Sequence, residues 1–376
     1  MHVSDLVAAM ESIAPVHLAG EWDNVGLLVG DPTDELDGSV VVTIDLTPTV
    51  VDEALAAGAG AVIAYHPPMF RPINRLVADA PRARALLKLI RAGVAIYSPH
   101  SALDAVPGGM GDWLLERCAY ADELSDRRAI EPASSYRSGG SHKVVVFVPE
   151  VEAARVRDAM ADAGAGVIGA YDRCTFELMG TGTFRGGDGT NPAVGEMGRL
   201  ERAPEVRLEM VCSRAALAGV VNALRDEHPY EEPAFDVYPL EPVADPGVGA
   251  GRIATLGAET DAVAVATRVA RELGVPSVKL ADAGRPIRRL ACCPGAGGSL
   301  GAGAASLGAE CFVTGEMSHH DVLGALDRGV SVVLAGHTNT ERGYLPVLAD
   351  RVREHLAGAS VVVSTSDAAP MSPITG

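Results

Sequence analysis

The sequence predicts an α/β fold of two related halves with mostly parallel sheets, interrupted by a smaller inserted α+β domain. In residues 1–125 and again in 250–370, short apolar runs of strand length alternate with amphipathic helical stretches. Residues 92–104 and 328–341 share one plan: a glycine turn, an apolar run, and a His followed four residues later by an acid. Between the halves, residues 140–245 show a different order of elements.

The first half begins with an amphipathic helix, in which Val7, Met10 and Ile13 recur at helical spacing. The elements that follow are strand SVVVTIDLT, helix TPTVVDEALAAGA, strand AVIAYHP, helix ARALLKLIRAG, strand VAIYSPH and helix GGMGDWLLERC. This β-α-β-α-β order predicts a mostly parallel sheet covered by helices.

The segment just before the apolar run VGLLV has two interpretations. It contains Trp22, Asp23 and Asn24. Asp and Asn often cap their own turn, so the segment is either an Asx-type turn beside a packed Trp or part of a functional site. The sequence leaves both open.

The middle of the chain has a different composition. Residues 125–142 are rich in Ser, Gly and polar side chains, which predicts a linker. Residues 140–245 then follow the order β-α-β-β-α-β, which is typical of a ferredoxin-like domain. Their HPYEEP segment, residues 228–233, is either a Pro-bounded loop that ends a helix or a segment that covers a metal site.

The second half repeats the α/β alternation. Its elements are helix TDAVAVATRVARELG, strand RRLACC, a glycine loop and helix, strand AECFVTGE, helix DVLGALDRG, strand VSVVLAGH and helix YLPVLADRVREHL. The glycine loop PGAGGSLG, residues 294–301, either cradles a phosphate or makes a tight βα turn. It lacks both the G-x-x-x-x-G-K-[ST] and the G-x-G-x-x-G spacing, which favours the turn.

The composition excludes several classes of protein. The 376 residues are 48% apolar and 21% charged, as expected of globular domains. A net charge of −18, with no run rich in Lys and Arg, argues against nucleic-acid binding. Six Cys without a C-x-x-C pair argue against a disulfide framework and predict a cytoplasmic location. Neither a signal peptide nor a membrane-spanning run is evident.

Histidine and carboxylate side chains collect at the predicted strand ends. His66 ends one strand, and the pairs His100/Asp104 and His337/Glu341 follow strands in the two halves. In open α/β sheets, ligands bind at the carboxyl ends of the strands. Imidazole and carboxylate groups together suit divalent transition metals such as Zn, Fe, Mn or Co. The sequence therefore predicts a metal site between the two halves.

These motifs together resemble the Nif-three-like family, whose members are known as GTP cyclohydrolase 1 type 2 homologues or dinuclear metal-binding proteins. The residues that carry the resemblance are WDNVGLLVG, the strand ending in HP, HSALD with GGMGDWL, TGEMSHHD and GHTNTE. They occur in the family's order over nearly the whole chain. HPYEEPAFDVYPL resembles the inserted domain of the family's longer members.

The resemblance implies a set of metal ligands. Matched onto this chain, they are Tyr65, His66, Asp104, His337 and Glu341. Tyr65 is a departure, because the family usually has a His there. A phenol with an ordinary pKa of about 10 is a weaker ligand near neutral pH, so the chain is expected to hold one metal ion or two.

Three further residues match family positions near these ligands. His100 is expected to lie beside the metal or to face the substrate. Glu316 and His320 match the T-G-E-x-x-x-H stretch and are the candidates for proton transfer.

The resemblance also implies a function and an assembly. The implied reaction is hydrolytic opening of the imidazole ring of GTP, in which an activated water attacks C8 of the purine. The implied assembly is a toroidal homohexamer, with a nucleotide substrate and neither nucleic-acid nor membrane partners. Two alternatives stay open: a non-catalytic, metal-responsive scaffold or chaperone, and a metal-dependent hydrolase of another nucleotide-like compound.

Overall fold

A computed structural model describes residues 1–135 and 140–371. The chain forms two compact units. The main unit contains the residues up to Ala133 and those from Asp245 onward, and the inserted unit is Ser134–Ala244. The domain boundaries predicted from the sequence remain a prediction about which parts fold independently.

The chain contains strands and helices in both units. The strands are β1 Gly26–Val29, β2 Ser39–Thr43, β3 Ala59–Ala64, β4 Ala95–Ser98, β5 Leu124–Arg128, β6 Glu131–Ser135, β7 His142–Val148, β8 Phe176–Arg185, β9 Leu200–Cys212, β10 Phe235–Pro239, β11 Val243–Ala250, β12 Arg252–Thr260, β13 Lys279–Ala281, β14 Ile287–Ala296, β15 Cys311–Glu316, β16 Ser331–Leu334 and β17 Val361–Val363. The helices are α1 Val3–Ile13, α2 Pro48–Ala56, α3 Pro81–Arg91, α4 His100–Ala105, α5 Met110–Cys118, α6 Glu150–Asp162, α7 Leu217–Glu227, α8 Ala262–Glu272, α9 Gly301–Ser306, α10 His319–Asp327 and α11 Leu345–His355. Across the described part of the chain, none of these helices has the length and apolarity needed to cross a bilayer.

The first sheet of the main unit has the strand order β1-β4-β3-β2-β17. Strands β2, β3, β4 and β17 run parallel, and β1 pairs antiparallel with β4. Alternate residues of the Val-rich strands enter different cores, as expected of a sheet covered on both faces. Val41 packs in a cluster with residues of α2 and α3, whereas Val40 and Val42 join residues of α1 and α11.

The second sheet has the order β13-β16-β15-β14-β12-β5. Its centre, β14-β15-β16, is parallel as the sequence predicts, and β13, β12 and β5 add antiparallel pairings. One face packs with α9 and α10, and the other faces α8. That second face belongs to the same core cluster as Val40 and Val42 of the first sheet, so one core joins both halves of the main unit.

The predicted linker contains two strands. Residues 136–139 of that segment lie outside the described residues, but β5 and β6 precede them. The polar composition misled the prediction because β5 is an edge strand that pairs only with β12 and exposes the side chains of residues 125–127. β6 pairs with β11 in a separate two-stranded sheet.

A buried arginine connects distant parts of the main unit. Arg252, only 1% exposed, donates hydrogen bonds of 2.7–3.0 Å to the carbonyl oxygens of Gly249, Gly251, Ala105 and Val106. Its Nε lies 3.2 Å from a carboxylate oxygen of Asp112, which is also buried. One guanidinium therefore joins the end of α4 and the start of α5 to the segment that begins β12.

The inserted unit has the predicted β-α-β-β-α-β order, from β7 through β10. Its four strands form an antiparallel sheet in the order β10-β7-β9-β8. The helices α6 and α7 pack on one face, where Val146, Val156, Leu208 and Leu224 form the core. Strand β8 lies at one edge, and most of its residues are exposed.

The chain's C-terminal segment is attached to α2 through Glu53, which gives a pH-dependent contribution to stability. Partial burial opposes ionisation of this carboxyl, but hydrogen bonds from Ser364, Thr365 and Ser366 lower its pKa from 4.5 to about 2. A lowered folded-state pKa contributes stability that is present above the ordinary pKa and is lost as the pH falls towards the folded value.

We therefore expect the wild-type protein to lose more stability than Glu53→Gln between about pH 5 and about pH 3. Urea unfolding at each pH measures the difference. The exposed carboxyl of Glu259 provides the control, because Glu259→Gln should follow the wild type. Equal losses for the wild type and Glu53→Gln would contradict the prediction.

Candidate metal centre

The ends of parallel strands bring the candidate ligands together. His66 follows β3, and His100 begins α4 just after β4. In the second sheet, Glu316 ends β15, and His337 follows β16. Gly336, with φ +91°, and a 3-10 turn over Thr338–Thr340 then reverse the chain so that Glu341 returns to His337.

Three of these side chains form a compact cluster. One ligand atom each from His66, His337 and Glu341 lie within 4.8 Å of one another. The Glu341 carboxylate is 2% exposed, and its oxygens lie 3.4 Å from His337 Nε2 and 3.5 Å from His66 Nε2. The sequence predicted these three residues as ligands, and the structure places them at one point.

Each histidine of the cluster has a carboxylate behind it. Asp45 lies 3.1 Å from His66 Nδ1, and Glu316 lies 2.8 Å from His337 Nδ1. Such contacts fix the ring orientation and direct Nε2 towards the cluster. Burial opposes protonation of His66, but Asp45 and Glu341 raise its pKa to about 10 in the metal-free protein. Asp45 was predicted only as the polar end of a strand and not as a site residue, although it follows β2 at the same sheet edge.

Gly295, near the carboxyl end of β14, lies directly beside the cluster. Gly295 has φ +62°, and a Cβ there would lie 2.6 Å from a Glu341 oxygen and 3.0 Å from His337 Nε2. Its N–H donates to Thr340 Oγ1, and its carbonyl accepts from Thr314 Oγ1. Any side chain at position 295 would therefore occupy the space beside the ligand atoms. The Gly-rich spacing of residues 294–301 was the only sequence signal for this role.

Tyr65 and Asp104 form a pair beside the cluster. The Tyr65 hydroxyl, on a residue 1% exposed, donates a hydrogen bond of 2.7 Å to Asp104. Burial, reinforced by the neighbouring Asp104 charge, raises the pKa of Tyr65 well above its ordinary value of 10. Burial likewise raises the pKa of Asp104 to about 6. In the metal-free protein, Tyr65 is therefore a hydrogen-bond donor to Asp104.

An aromatic group lines the approach to the cluster. The rings of Trp22 and Phe70 lie 5.9 Å and 6.1 Å from His100, which lies 5.4 Å from His66. Trp22 is 65% exposed, so it is not the packed residue of the turn interpretation. Asp23 caps Asn24 and also lies 2.7 Å from His100 Nδ1. The segment is therefore a turn that also positions a histidine of the site.

His100 itself has an unusual backbone conformation. Its φ of +27° is rare for a residue with a side chain. The Asp23 carboxylate accepts from the N–H of Ser101 and contacts the His100 ring, which fixes this conformation. Strain of this kind concentrates at functional sites.

The two candidates for proton transfer are placed differently. Glu316 contacts His337, as described above. His320 lies on the first turn of α10, exposed and stacked edge-on against His319 at 5.7 Å. Within the described residues it makes no hydrogen bond or ion pair with the cluster.

Comparisons with known proteins cover nearly the whole chain. Residues 1–370 match the Duf34/NIF3 (NGG1p interacting factor 3) family. A Bacillus subtilis protein named GTP cyclohydrolase 1 type 2 homolog is 34% identical over 372 residues, which cover 98% of this chain and 97% of that protein. A Mycobacterium tuberculosis protein of the same name is 34% identical over 367 residues, or 96% and 94% of the two chains. The crystal structure of a Bacillus cereus protein related to NIF3 matches with a TM-score of 0.78 and 32% identity, covering 100% and 99%.

Proposed function

The chain belongs to the Duf34/NIF3 family, and on that premise we propose that it is a metal-dependent hydrolase that opens the imidazole ring of GTP. The observation that carries the proposal is the convergence of His66, His337 and Glu341 at one strand edge. The names of the Bacillus and Mycobacterium relatives support GTP as the substrate.

The cluster fits a divalent transition metal. Two imidazole nitrogens and a carboxylate oxygen are a donor set that Zn or Fe accepts. Glu341 Oε2 is buried, and among residues 1–135 and 140–371 it makes no hydrogen bond of good geometry, since its contact with His66 Nε2 is 3.5 Å. A buried oxygen without a partner is costly unless a ligand satisfies it. Such a metal, when bound, supplies Lewis acidity and lowers the pKa of a water molecule.

We propose that this cluster holds one metal ion per chain. A second ion would need Asp104 and a ligand at position 65, but Asp104 accepts the Tyr65 hydroxyl. The protonated phenol has no lone pair comparable to that of a neutral imidazole for binding a metal near neutral pH.

Replacing this phenol should change the metal content. We expect Tyr65→His to raise it from about one ion per chain towards two, because imidazole can ligate and Asp104 is released. Elemental analysis after identical loading measures the ratio. Tyr65→Phe is the control, since it releases Asp104 without adding a ligand. Equal metal content in the wild type and Tyr65→His would contradict the prediction.

The aromatic group beside the cluster supports a substrate with a flat ring. Trp22 and Phe70 are exposed, with ring centres 6.0 Å apart, and both adjoin His100. Stacking on such side chains holds nucleobases without requiring a particular base. We propose that the purine lies against this surface, where His100 orients it towards the cluster.

Proton transfer needs a group near the reacting ring. We propose that Glu316 acts mainly as a positioning residue, because it contacts His337 at 2.8 Å. His320, exposed on the first turn of α10, is the other candidate for proton transfer.

The proposal also includes the assembly that the resemblance implies and the location that the cysteine content predicts. We propose a homohexamer, which light scattering would test. We also propose a cytoplasmic location, which the six free cysteines support because disulfides are rare in a reducing compartment.

Turnover tests the proposed reaction. Metal-loaded protein is incubated with GTP and a panel of other nucleotides, and the products are followed by mass. The expected product is GTP plus one water molecule, formed by the wild type and not by Glu341→Gln. Turnover of another nucleotide alone would indicate a different hydrolase. No turnover of any nucleotide by fully loaded protein would favour the non-catalytic scaffold.

A further inference from the structure

The inserted unit contains a cavity that the proposed hydrolase does not use. Its volume is about 590 Å³, and all of its lining residues lie between Phe147 and Ala234. Strand β8, the loop after it and the connection between α7 and β10 form its walls. A volume of this size is typical of small-molecule sites.

Two glycines of β8 create the space. Gly180 and Gly182 pair with Glu205 and Ala203 of β9 and line the cavity. A Cβ at Gly182 would lie 2.1 Å from a carboxylate oxygen of Glu205. Strand β8 therefore has no side chains at these two positions, and the Glu205 side chain can reach the cavity there.

The walls are largely apolar. Leu178, Phe184 and Phe147 line the cavity together with Tyr230. The rings of Phe184 and Tyr230 pack at 6.2 Å, and Leu178 is 56% exposed. Such walls suit an apolar or aromatic body.

Glu205 is a buried carboxylate without a matching cation. It is 8% exposed, and no described residue forms an ion pair with it. The guanidinium of Arg207, which also lines the cavity, is bound to Glu209 at 2.7 Å and lies over the Phe147 ring. A buried, unpaired charge is costly, and a bound cation removes that cost.

The Tyr230 hydroxyl is a second polar group of the cavity lining and lies beside Glu205. It is buried, and within the described parts of the chain it has no partner of hydrogen-bond geometry. Burial raises the pKa of Tyr230 to about 12, and the contact of its hydroxyl with the Glu205 carboxylate adds to the effect. The carboxylate oxygens of Glu205 accept hydrogen bonds, and the neutral hydroxyl of Tyr230 can also accept one. The two side chains together can therefore bind a group that donates hydrogen bonds.

The mouth of the cavity is also acidic. Glu231 and Glu232 lie on its rim, and the carboxylate of Glu231 accepts the N–H of Asn191 at 3.1 Å. This contact joins the two loops that border the cavity. The other guanidinium of the lining belongs to Arg185, whose Nε donates to the Gly198 carbonyl at 2.8 Å. Carboxylates outnumber guanidinium groups around the cavity, which favours a cationic ligand.

We propose that the inserted unit binds a small organic amine in this cavity. The protonated amino group lies against Glu205 and Tyr230, and the apolar or aromatic body lies among Leu178, Phe184 and Phe147. The HPYEEP segment, left open in the sequence analysis, supplies part of this site through residues 230–232. The proposal is independent of the metal cluster and of GTP hydrolysis.

Calorimetric titration of the full chain tests the charge requirement. The probes are 2-phenylethylamine, its neutral analogue 2-phenylethanol and the anion 3-phenylpropanoate. We expect the amine to bind at least about 10-fold more tightly than the alcohol, which is the scale of one charge-assisted hydrogen bond, and the carboxylate to bind least. Equal binding of all three, or no binding of the amine at millimolar concentration, would overturn the proposal.

Variants locate the site. Glu205→Gln should weaken amine binding at least about 10-fold, whereas Glu150→Gln, which removes the same charge from an exposed position on α6, should not. If Glu205→Gln does not fold, Leu178→Lys provides the second test, since Leu178 is exposed and a lysine there repels the amine. Unchanged amine affinity in the folded variants would reject the site.

A second copy of the chain, rather than an amine, is the other possible occupant of this surface, and the same variant distinguishes the two. If a second copy of the chain covers Leu178 instead, Leu178→Lys lowers the mass measured by light scattering and no amine binds. That outcome also overturns the proposal.

Discussion

Glu341→Gln should remove bound metal from the main unit while the fold is retained. Glu341 contributes buried oxygens within reach of both His66 and His337, and among the residues that the structure describes no other carboxylate joins this group. An amide keeps the shape but loses the negative charge that the metal needs. Changes at residues outside the ligand shell already cost about 10- to 100-fold in metal affinity, so we expect a loss of roughly 100-fold or more.

Elemental analysis after equilibration with a metal buffer measures this effect, and circular dichroism checks the fold. Glu354→Gln is the matched control, because Glu354 is exposed on α11 in the same unit. Undiminished metal content in Glu341→Gln would move the metal site away from this cluster. An equal loss of metal from Glu354→Gln would show that the net charge of the unit, and not Glu341 itself, controls the metal content.

Arg252→Ala should be among the most destabilising single substitutions in the main unit. The change removes the buried cation beside Asp112, leaving that carboxylate only the longer contact with Arg127, and it takes one donor from each of four carbonyl groups. Breaking a buried ion pair by removing one partner costs about 3–5 kcal/mol. We expect a loss of this size in the free energy of unfolding.

Tryptophan fluorescence during urea unfolding follows the main unit alone, because Trp22 and Trp113, the chain's two tryptophans, both belong to it. Arg127→Ala is the control. Arg127 also contacts Asp112, at 3.4 Å, but its side chain is 32% exposed, so its removal should cost about 0–1 kcal/mol. Similar losses for the two variants would contradict the structural role assigned to Arg252.

The sequence predicted the cluster because its residues are anchored to strand ends. His66, His337 and Glu341 follow apolar runs whose parallel pairing brings them to one edge of each sheet. Asp45 follows the same rule, but a lone Asp after a strand is too common to single out. The contact between Tyr65 and Asp104 required the structure, because neither residue type nor spacing predicts a hydrogen bond between them.

Features that depend on tertiary packing escaped the sequence analysis. Strand β5 is polar because it lies at a sheet edge, so composition alone favoured a linker. The cavity of the inserted unit depends on which face of β8 carries Gly180 and Gly182 and on which residue lies opposite them. The register of β8 against β9 determines the face and the opposing residue, and this register cannot be predicted from turn residues or from hydrophobic periodicity.

Strand β17 makes the first sheet depend on a segment that is synthesised late. Val361–Val363 pairs with β2, a strand made more than 300 residues earlier, and Val361 belongs to the core that joins both sheets. Domains generally fold as units while the ribosome is still extending the chain, and pairings between distant segments form slowly. The inserted unit ends at Ala244, so all of its residues are synthesised before β17. The first sheet of the main unit is complete only after residues 361–363 have emerged, and by then every residue of the cluster has already been made.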